Sequence, residues 1–462
     1  MASIKSIRSL TLDIPPSCIE FVPGHPELFV VGTYYLEKKS DGENATAEQI
    51  NGQPQQRTGS LLLFKLEGNE VTLHDTLSTP FAIFDIHFAP TSESTSTIPL
   101  LGAATSTGSL ALYQVSAPTL SIGALSVLQI FPTTSLITYF TWHPSIPSLA
   151  ALALSSGSIY LCDTAATLAN GGSAQPIEDG DTTPTAAYLH AHSLEAWFVA
   201  FAPDGTSLLS GGDDSTLASL ALPAPSTASP PPSARQLLSA VADEPPAVQW
   251  QDRRTHQAGV TAILPLAPPP NPSSSSDAEE EEGEGESQRQ KPPLPLLVLT
   301  GSYDDRIRLL ALPAPASFPR RPRLLAELDL GGGVWRLKDI TGATTATTTT
   351  NTPSAAAGTA GGERRRRRRE EYTILASCMH AGARVLRLSS SSSAPEDGGG
   401  EGGGEEDREW SFDVLAAFEE HESMNYGSDV RRGGEGEGEG EGGGTVVVST
   451  SFYDRLLAVW KW

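Results

Sequence analysis

Cysteine is scarce in this chain: Cys18, Cys162 and Cys378 are the only ones among 462 residues. They lie far apart with no CxxC spacing, which excludes a zinc ribbon and a disulfide framework and fits a reducing compartment. Apolar runs are short. Nowhere do about 18 apolar residues follow one another as a membrane-crossing helix requires, and the opening MASIKSIRSLTLDI lacks the continuous apolar stretch of a secretory signal. A soluble cytoplasmic protein with no membrane partner is expected. Charged side chains make up only 19%, against 43 Gly and 36 Pro, a balance that excludes a long-helix protein and favours β structure. Missing as well are a GxSxG elbow, an HExxH helix, a Walker loop and a GxGxxG that follows a strand, so the common hydrolase, protease and nucleotide-binding signatures offer nothing. No metal and no cofactor is expected. A serine nucleophile stays open, because a triad is recognised by geometry rather than by order in the chain.

Positive charge is also in short supply: 31 Lys and Arg face 55 Asp and Glu, a formal net charge of -24. Much of the excess sits in tracts such as DAEEEEGEGE (277–286) and GGEGEGEGEGGG (433–444), so the remaining body is less acidic than the total. The balance argues against direct nucleic-acid binding through phosphate neutralisation. It is compatible with a cationic substrate or a basic protein surface.

What the chain does have is an echo. Residues 450–462, TSFYDRLLAVWKW, read like residues 300–312, TGSYDDRIRLLAL. Each copy runs from small residues through an acidic turn into an alternating apolar strand, and such recurrence marks a repeat architecture. A turn residue stands six positions before each apolar strand end: Thr107, Ser156, Asp214, Asp304, His380 and Asp454. An earlier, poorer unit spans 17–66 with strands at 29–35 and 60–66, which makes seven units. Alternating stretches at 83–88, 137–143, 196–201, 259–264, 333–340 and 425–430 supply a further strand upstream of most turns. Four short strands in about 40–45 residues describe a WD-type blade, so the expected fold is all-β, one seven-bladed WD-repeat β-propeller over 1–462. Residues 9–14 (SLTLDI) are expected to pair as the outer strand of the last unit, closing the ring and leaving few bare edges.

Biased segments at 38–57, 268–293, 341–371, 389–408 and 431–444 interrupt the units. Their Ser, Thr, Gly, Pro and Glu content buries too little apolar surface to offset ordering, so they read as disordered, low-complexity loops. The arginine run at 364–369 reads as part of a solvated loop rather than as a nuclear or nucleic-acid signal, because acidic residues flank it.

In WD-type propellers the Asp of the turn commonly bonds a His in the loop entering the same blade. The expected pairs are His192 with Asp214, His256 with Asp304 and His421 with Asp454, all serving architecture. The sixth unit breaks the pattern. Its turn, SCMHAG, carries His380, and glycines 331–333 stand where the partner His should lie. An imidazole free of structural duty is a candidate general base, with a surface histidine of no role as the plain alternative. In the usual course of a blade, this turn and the loops entering the innermost strands share the mouth of the central channel. Glu195, Trp197, Trp335, Arg336, Tyr426 and Asp429 are therefore expected near His380. The aromatic residues either pack between blades or form a cage for a quaternary ammonium group, helped by Glu195 or Asp429.

The phrases HSLEAWFVAF (192–201), LLSGGDD (208–214), LTGSYDDRIRL (299–309), GGGVWRLK (331–338), SCMHAG (377–382), HESMNYGSD (421–429) and TSFYDRLLAVWKW, with GTYYL (32–36) in the first half, resemble the diphthine methyl ester hydrolases. These are WD-repeat proteins of diphthamide biosynthesis, sometimes labelled diphthine methyltransferases. The resemblance implies removal of the methyl ester from over-methylated diphthine, a modified histidine of translation elongation factor 2, by a cytoplasmic enzyme expected to be a monomer. For that reaction His380 is expected to activate a water or a neighbouring serine, with Asp429 or Glu195 orienting it. Arg336 or backbone amides would meet the oxyanion, and Trp197, Trp335 and Tyr426 would hold the trimethylammonium group. A non-catalytic interaction scaffold is the competing expectation, since folds of this kind serve many functions. Methyl transfer is disfavoured by the lack of a cofactor-binding glycine loop after a strand.

Overall fold

The computed structural model describes residues 2–37, 56–90, 98–165, 176–223, 232–267, 295–313, 321–341, 371–392, 408–432 and 444–462. Seven antiparallel sheets, numbered here as blades 1 to 7, follow one another in chain order, each with its first strand innermost. Blade 1 runs Pro16–Val22, His25–Thr33, Arg57–Glu67 and Glu70–Thr79, and blade 2 runs Ile83–Phe88, Leu100–Thr105, Ser109–Ser116 and Ser121–Gln129. Blade 3 comprises Ile137–Trp142, Leu149–Leu154, Ser158–Asp163 and Ala186–Ala191, and blade 4 Ala196–Phe201, Ser207–Gly212, Leu217–Ala221 and Val248–Asp252. Blade 5 holds Val260–Pro265, Leu296–Ser302, Arg306–Leu312 and Arg323–Asp329. Blade 6 holds Arg336–Asp339, Glu371–Ser377, Ala383–Ser392 and Arg408–Phe418. Blade 7 takes Gly427–Val430, Val446–Thr450 and Leu456–Lys461 from the end of the chain and Ser6–Thr11 from its start. The expected seven-bladed β-propeller is therefore present, ring closure included, with the closing strand a few residues earlier than 9–14.

The first residues do more than close the ring. Ala2–Ile4 pairs in parallel with the outer strand of blade 6, and Ser6–Thr11 then pairs antiparallel with blade 7. Between them the Ser6 N–H donates to Glu420 at 3.0 Å and Lys5 approaches the same carboxylate at 3.3 Å. One short segment thus fastens two adjacent blades and leaves fewer bare edges.

Middle strands are buried on both faces, as LAALAL at Leu149–Leu154 shows, because neighbouring blades cover them. The sheet faces meet through Leu, Val, Ile and Phe, with ring stacks such as Phe418 on Trp460 at 5.2 Å. Fully burying each such side chain is worth about 1.5–3 kcal/mol. A helix, α1 (Ala234–Asp243), lies between the third and fourth strands of blade 4. Its buried Ala234, Leu237, Leu238 and Val241 follow helical spacing, and Ser233 with Gln236 forms a capping box. The all-β reading passed over this helix although its sequence carries both signals.

The biased segments, apart from their end residues, lie outside the described residues. The loop expected at 389–408 starts too early, because the strand Ala383–Ser392 continues through the serine run and pairs with Arg408–Phe418. Alternation of neighbouring backbone bonds carries a strand on where composition alone suggests a loop.

The three expected structural pairs divide. His192 Nδ1 bonds Asp214 at 3.1 Å. Asp304 instead takes Arg308 at 2.9 Å and the Gln257 N–H at 2.9 Å, leaving His256 Nδ1 without a hydrogen bond. Asp454 accepts the Glu422 N–H at 3.0 Å, and His421 Nδ1 likewise has no partner. All three imidazoles share a different anchor, each Nε2 bonding a hydroxyl of the second strand at 2.9 Å: Ser210, Thr300 and Ser449. In blade 7 the indole of Trp460 donates to that same Ser449 oxygen at 2.9 Å.

Candidate functional site: an aromatic channel mouth

Bulges set the mouth. The innermost strands of blades 1 to 5 each slip register near their start, leaving one unpaired residue: Ser17, Phe84, Thr138, Trp197 and Thr261. A bulge re-aims a side chain, and here it does so in two ways. The hydroxyls staple neighbouring blades, Ser17 donating to the Ile83 carbonyl at 2.6 Å, Thr138 to Ala196 at 2.5 Å and Thr261 to Val334 at 2.5 Å. The aromatic residues turn to the mouth, joined there by Trp335 and Tyr426, which stand just before the innermost strands of blades 6 and 7.

These rings form a connected arc. Trp197 lies 5.7 Å from Trp335, Trp335 5.1 Å from Tyr426, Tyr426 5.5 Å from Phe452, Phe452 6.0 Å from Tyr34, and Tyr34 5.3 Å from Phe84. Tyr303 sits against both indoles, at 6.3 Å from Trp197 and 6.0 Å from Trp335. All seven are half-buried, so ring faces and edges remain open to solvent. The Trp197 indole donates to Asp213 at 3.0 Å, which fixes its plane and brings a carboxylate beside it. Burial raises the Tyr303 and Tyr426 phenols above the usual tyrosine range, so both stay neutral.

His380 lies on this same rim. The backbone of its turn meets the Tyr426 segment through the Asn425 N–H, which donates to the Met379 carbonyl at 3.0 Å. It meets the Trp335 segment through the glycine run. A Cβ on Gly332 would run into the Cys378 carbonyl, and one on Gly333 would lie 2.8 Å from Met379 Sδ. The glycines thus replace the histidine of other blades because the chain passes directly against the turn that carries His380. In blades 2 to 5 and 7 the left-handed residue follows the turn residue at once: Gly108, Gly157, Ser215, Asp305 and Arg455. In blade 6 it brackets it, at Met379 (φ 43) and Gly382 (φ 77). His380 accordingly is exposed, whereas the Asp214 and Asp304 side chains are tucked in at 6% and 7% exposure.

Two expected partners of His380 are engaged elsewhere. Asp429 accepts the Phe21 N–H and the Val430 N–H, both at 2.8 Å, and pairs with Lys338 at 2.9 Å; it lies buried in the channel wall and does not orient the imidazole. Burial alone would lower the Lys338 amine, but the carboxylates of Asp429, Glu20 and Asp85 outweigh it and hold the amine above its usual value. Arg336 spans the channel to Asp85, donating from Nε at 2.9 Å and Nη2 at 2.6 Å, while Nη1 serves the carbonyls of Trp335 at 2.9 Å and Thr261 at 3.3 Å. Its guanidinium also lies over Tyr139, Phe198 and Trp335 at 4.8, 5.4 and 4.7 Å. With its donors so committed, Arg336 is a strut and not the expected oxyanion donor. Glu195 stays half-buried at the mouth, two residues before Trp197, and its side chain has no bonding partner among the described residues.

Nucleophile candidates near the turn are few. Ser377 and Ser428 are buried and bond each other at 3.0 Å. Burial pushes the Cys378 thiol up to about 12, which leaves no thiolate to attack. Among the described residues no group of three or more His, Cys, Asp or Glu is gathered to hold a metal ion.

No protein-family profile matches this chain, and no curated protein does either. A solved structure titled "Crystal Structure of Mitotic Checkpoint Complex" contains a chain similar to this one at 13% identity, with a TM-score of 0.50 over 99% of this chain and 96% of that chain. The likeness establishes the fold. It is a seven-bladed β-propeller.

In this propeller Trp197, Trp335 and Tyr426, which the sequence pattern grouped, lie in one arc, with Glu195 and the turn of His380 on the same rim. The pattern missed Tyr303, Phe452, Tyr34 and Phe84 in the arc, and Asp85, Glu20 and Lys338 in the channel. The signal for three of the missed rings lies just after the second strands of blades 1, 5 and 7, in GTYY, GSYDD and TSFYD, which reads as ordinary turn sequence until the ring is assembled.

Proposed function

We propose that this propeller is a carboxylic ester hydrolase that removes the methyl ester of methylated diphthine on translation elongation factor 2, in the cytoplasm. The observation that carries the reading is the single rim on which an exposed His380, with no bonding partner among the described residues, stands beside an arc of aromatic faces edged by Glu195 and Asp213. Trp335, Trp197 and Tyr426 offer the negative ring faces that attract a trimethylammonium group, and the two carboxylates add charge where a cation would rest. With Ser377, Ser428 and Cys378 withheld, water is the nucleophile. His380 takes a proton from that water as its oxygen attacks the ester carbonyl. The imidazolium returns the proton to the departing methoxide, so that methanol and a carboxylate leave. The backbone N–H groups of Gly332 and Gly333, which donate to nothing among the described residues, stand in for Arg336 as candidates to meet the oxyanion.

Replacing His380 with alanine should cost about 10²–10⁴-fold in turnover on methyl-esterified elongation factor 2, read by mass spectrometry as loss of one methyl group. The melting temperature should be unchanged, because the side chain is exposed and unbonded. Full turnover in the folded variant sinks the assignment of the base.

A second reading, a non-catalytic interaction platform, is favoured by one observation: no carboxylate bonds the His380 imidazole among the described residues, so nothing fixes its tautomer. Wild-type protein that leaves the esterified substrate untouched decides for the platform.

A further inference from the structure

The arc extends well past the group that a methyl ester site requires. One quaternary ammonium occupies two or three rings, yet the chain of contacts runs on from Tyr426 through Phe452 and Tyr34 to Phe84, across blades 7, 1 and 2. Beside this outer half stand large apolar side chains that no described residue covers: Tyr453 at 71% exposure, Tyr35 at 44% and Leu36 at 39%. Tyr35 and Leu36 form a short strand against Arg57 and Thr58, which lifts the hairpin of blade 1 above the rim. Exposed apolar area of this extent, on one face and bordered by charge, marks an interaction site.

Charge names the partner. The rim loops and the raised hairpin of blade 1 carry Glu37, Glu195, Asp213, Asp305, Glu422 and Asp454, against Arg253, Arg254, Arg455 and Arg57, which donates to the Tyr34 phenol at 2.8 Å, and no lysine of those loops among the described residues. Eight of the nine undescribed internal segments connect first to second or third to fourth strands, whose joined ends lie on the opposite rim. The exception is 38–55, in the hairpin of blade 1. The mouth side otherwise consists of short, fully described loops, whose acidic and aromatic surface no described residue covers.

We infer that the outer half of the arc, Tyr34, Phe84, Phe452 and Tyr453, docks an extended, arginine- or lysine-bearing segment of the protein substrate, apart from the methylated residue itself. The partner is thus a basic protein segment lying along ring faces, its cationic side chains meeting both the rings and the bordering carboxylates. The centroid steps from Trp197 to Phe84 are each 5.1 to 6.0 Å, so the whole arc accommodates about eight residues at about 3.3 Å per extended residue. The inference deepens the proposed esterase reading by naming what holds the substrate while the ester reacts, and it rests on that reading for the identity of the substrate.

The test uses the full chain and a fluorescein-labelled ten-residue Arg-Gly repeat, with a Glu-Gly repeat as control, read by anisotropy. Binding of the basic peptide alone, weakened at least tenfold by Tyr34→Ala with Phe452→Ala, is the expected result. Tyr453→Ser should weaken it about threefold, and that exposed position keeps the test valid if the double variant does not fold. Removing the acidic tracts 277–286 and 433–444 should leave the affinity within twofold. Equal affinity of the wild type and folded rim variants overturns the inference, as does loss of binding on removing those tracts. Tighter binding after deletion of 38–55 would identify that segment as the occupant and overturn it too.

Esterase assays separate this outcome from the function itself. If both hold, the rim variants keep turnover on a small methyl ester bearing a trimethylammonium group and lose it on the whole protein. If hydrolysis is absent from both substrates while peptide binding persists, the esterase reading fails and the docking surface stands.

Discussion

The indole of Trp335 touches Trp197, Tyr303 and Tyr426 and lies under the Arg336 guanidinium, so it is the centre of the mouth. Trp335→Ala should raise the KM of the esterified substrate about fivefold, the equivalent of about 1 kcal/mol of cation–ring attraction, while Trp335→Phe restores most of it. A KM unchanged in the alanine variant would remove the ring from substrate binding. Two other histidines govern stability instead. Burial, aided at His256 by the nearby Arg308 charge, lowers the imidazoles of His256 and His421 to about 4. Between that value and the unfolded value of about 6.5 the unfolded chain binds more protons. Stability present at neutral pH is therefore lost as pH falls from about 6.5 toward 4, by up to about 3 kcal/mol for each imidazole. Thermal melts across that window should steepen downward in acid, and His256→Gln with His421→Gln should flatten them; a slope untouched by both changes would place the titrating groups elsewhere. At this scale the sequence is legible only along the chain. It pointed to His380 because the turn register counts out correctly, but Arg336 meets Asp85 251 positions away and Asp429 meets the Phe21 amide 408 positions away, and no local pattern encodes contacts that cross a channel.

Among the elements, the turn of blade 6 has the same span as its counterparts and a different backbone path. Gly382 makes that path possible, combining φ 77 with a site where an added methyl would strike the Phe418 carbonyl. Gly24, at φ 76, has nothing within 4 Å of such a methyl and serves as the comparison. Gly24→Ala should cost about 1 kcal/mol in a denaturant titration, from the left-handed backbone alone. Gly382→Ala should cost about 2–3 kcal/mol and also lower esterase turnover by shifting His380. Equal costs at the two positions would mean that the turn yields to the intrusion, and that its shape does not set the position of the imidazole. The strands themselves were readable because period-2 alternation and turn residues recur, with innermost starts at 83 and 196 falling where the pattern put them. The bulges were not readable, since a single unpaired residue changes no hydrophobic count, and with them the sorting of hydroxyl staples from mouth aromatics stayed hidden.

Taken whole, the ring is held shut where the site lies. Residues 2–11 clip blades 6 and 7, which carry His380, Trp335 and Tyr426. Removing them exposes the outer edge of blade 7 and leaves it with three strands, so a broad, lower-temperature melt, loss of turnover and association between molecules are expected, the last followed by light scattering. A truncated chain that melts as sharply as the full one would show the clip to be dispensable. Because Ser6 meets Trp460 across nearly the entire polypeptide, a ribosome that adds roughly 5–20 residues per second holds the opening strand without its mate for on the order of half a minute or longer. The mouth is therefore completed only once Leu456–Lys461 has been made, and a chain released before then carries Ser6–Thr11 unpaired and adhesive.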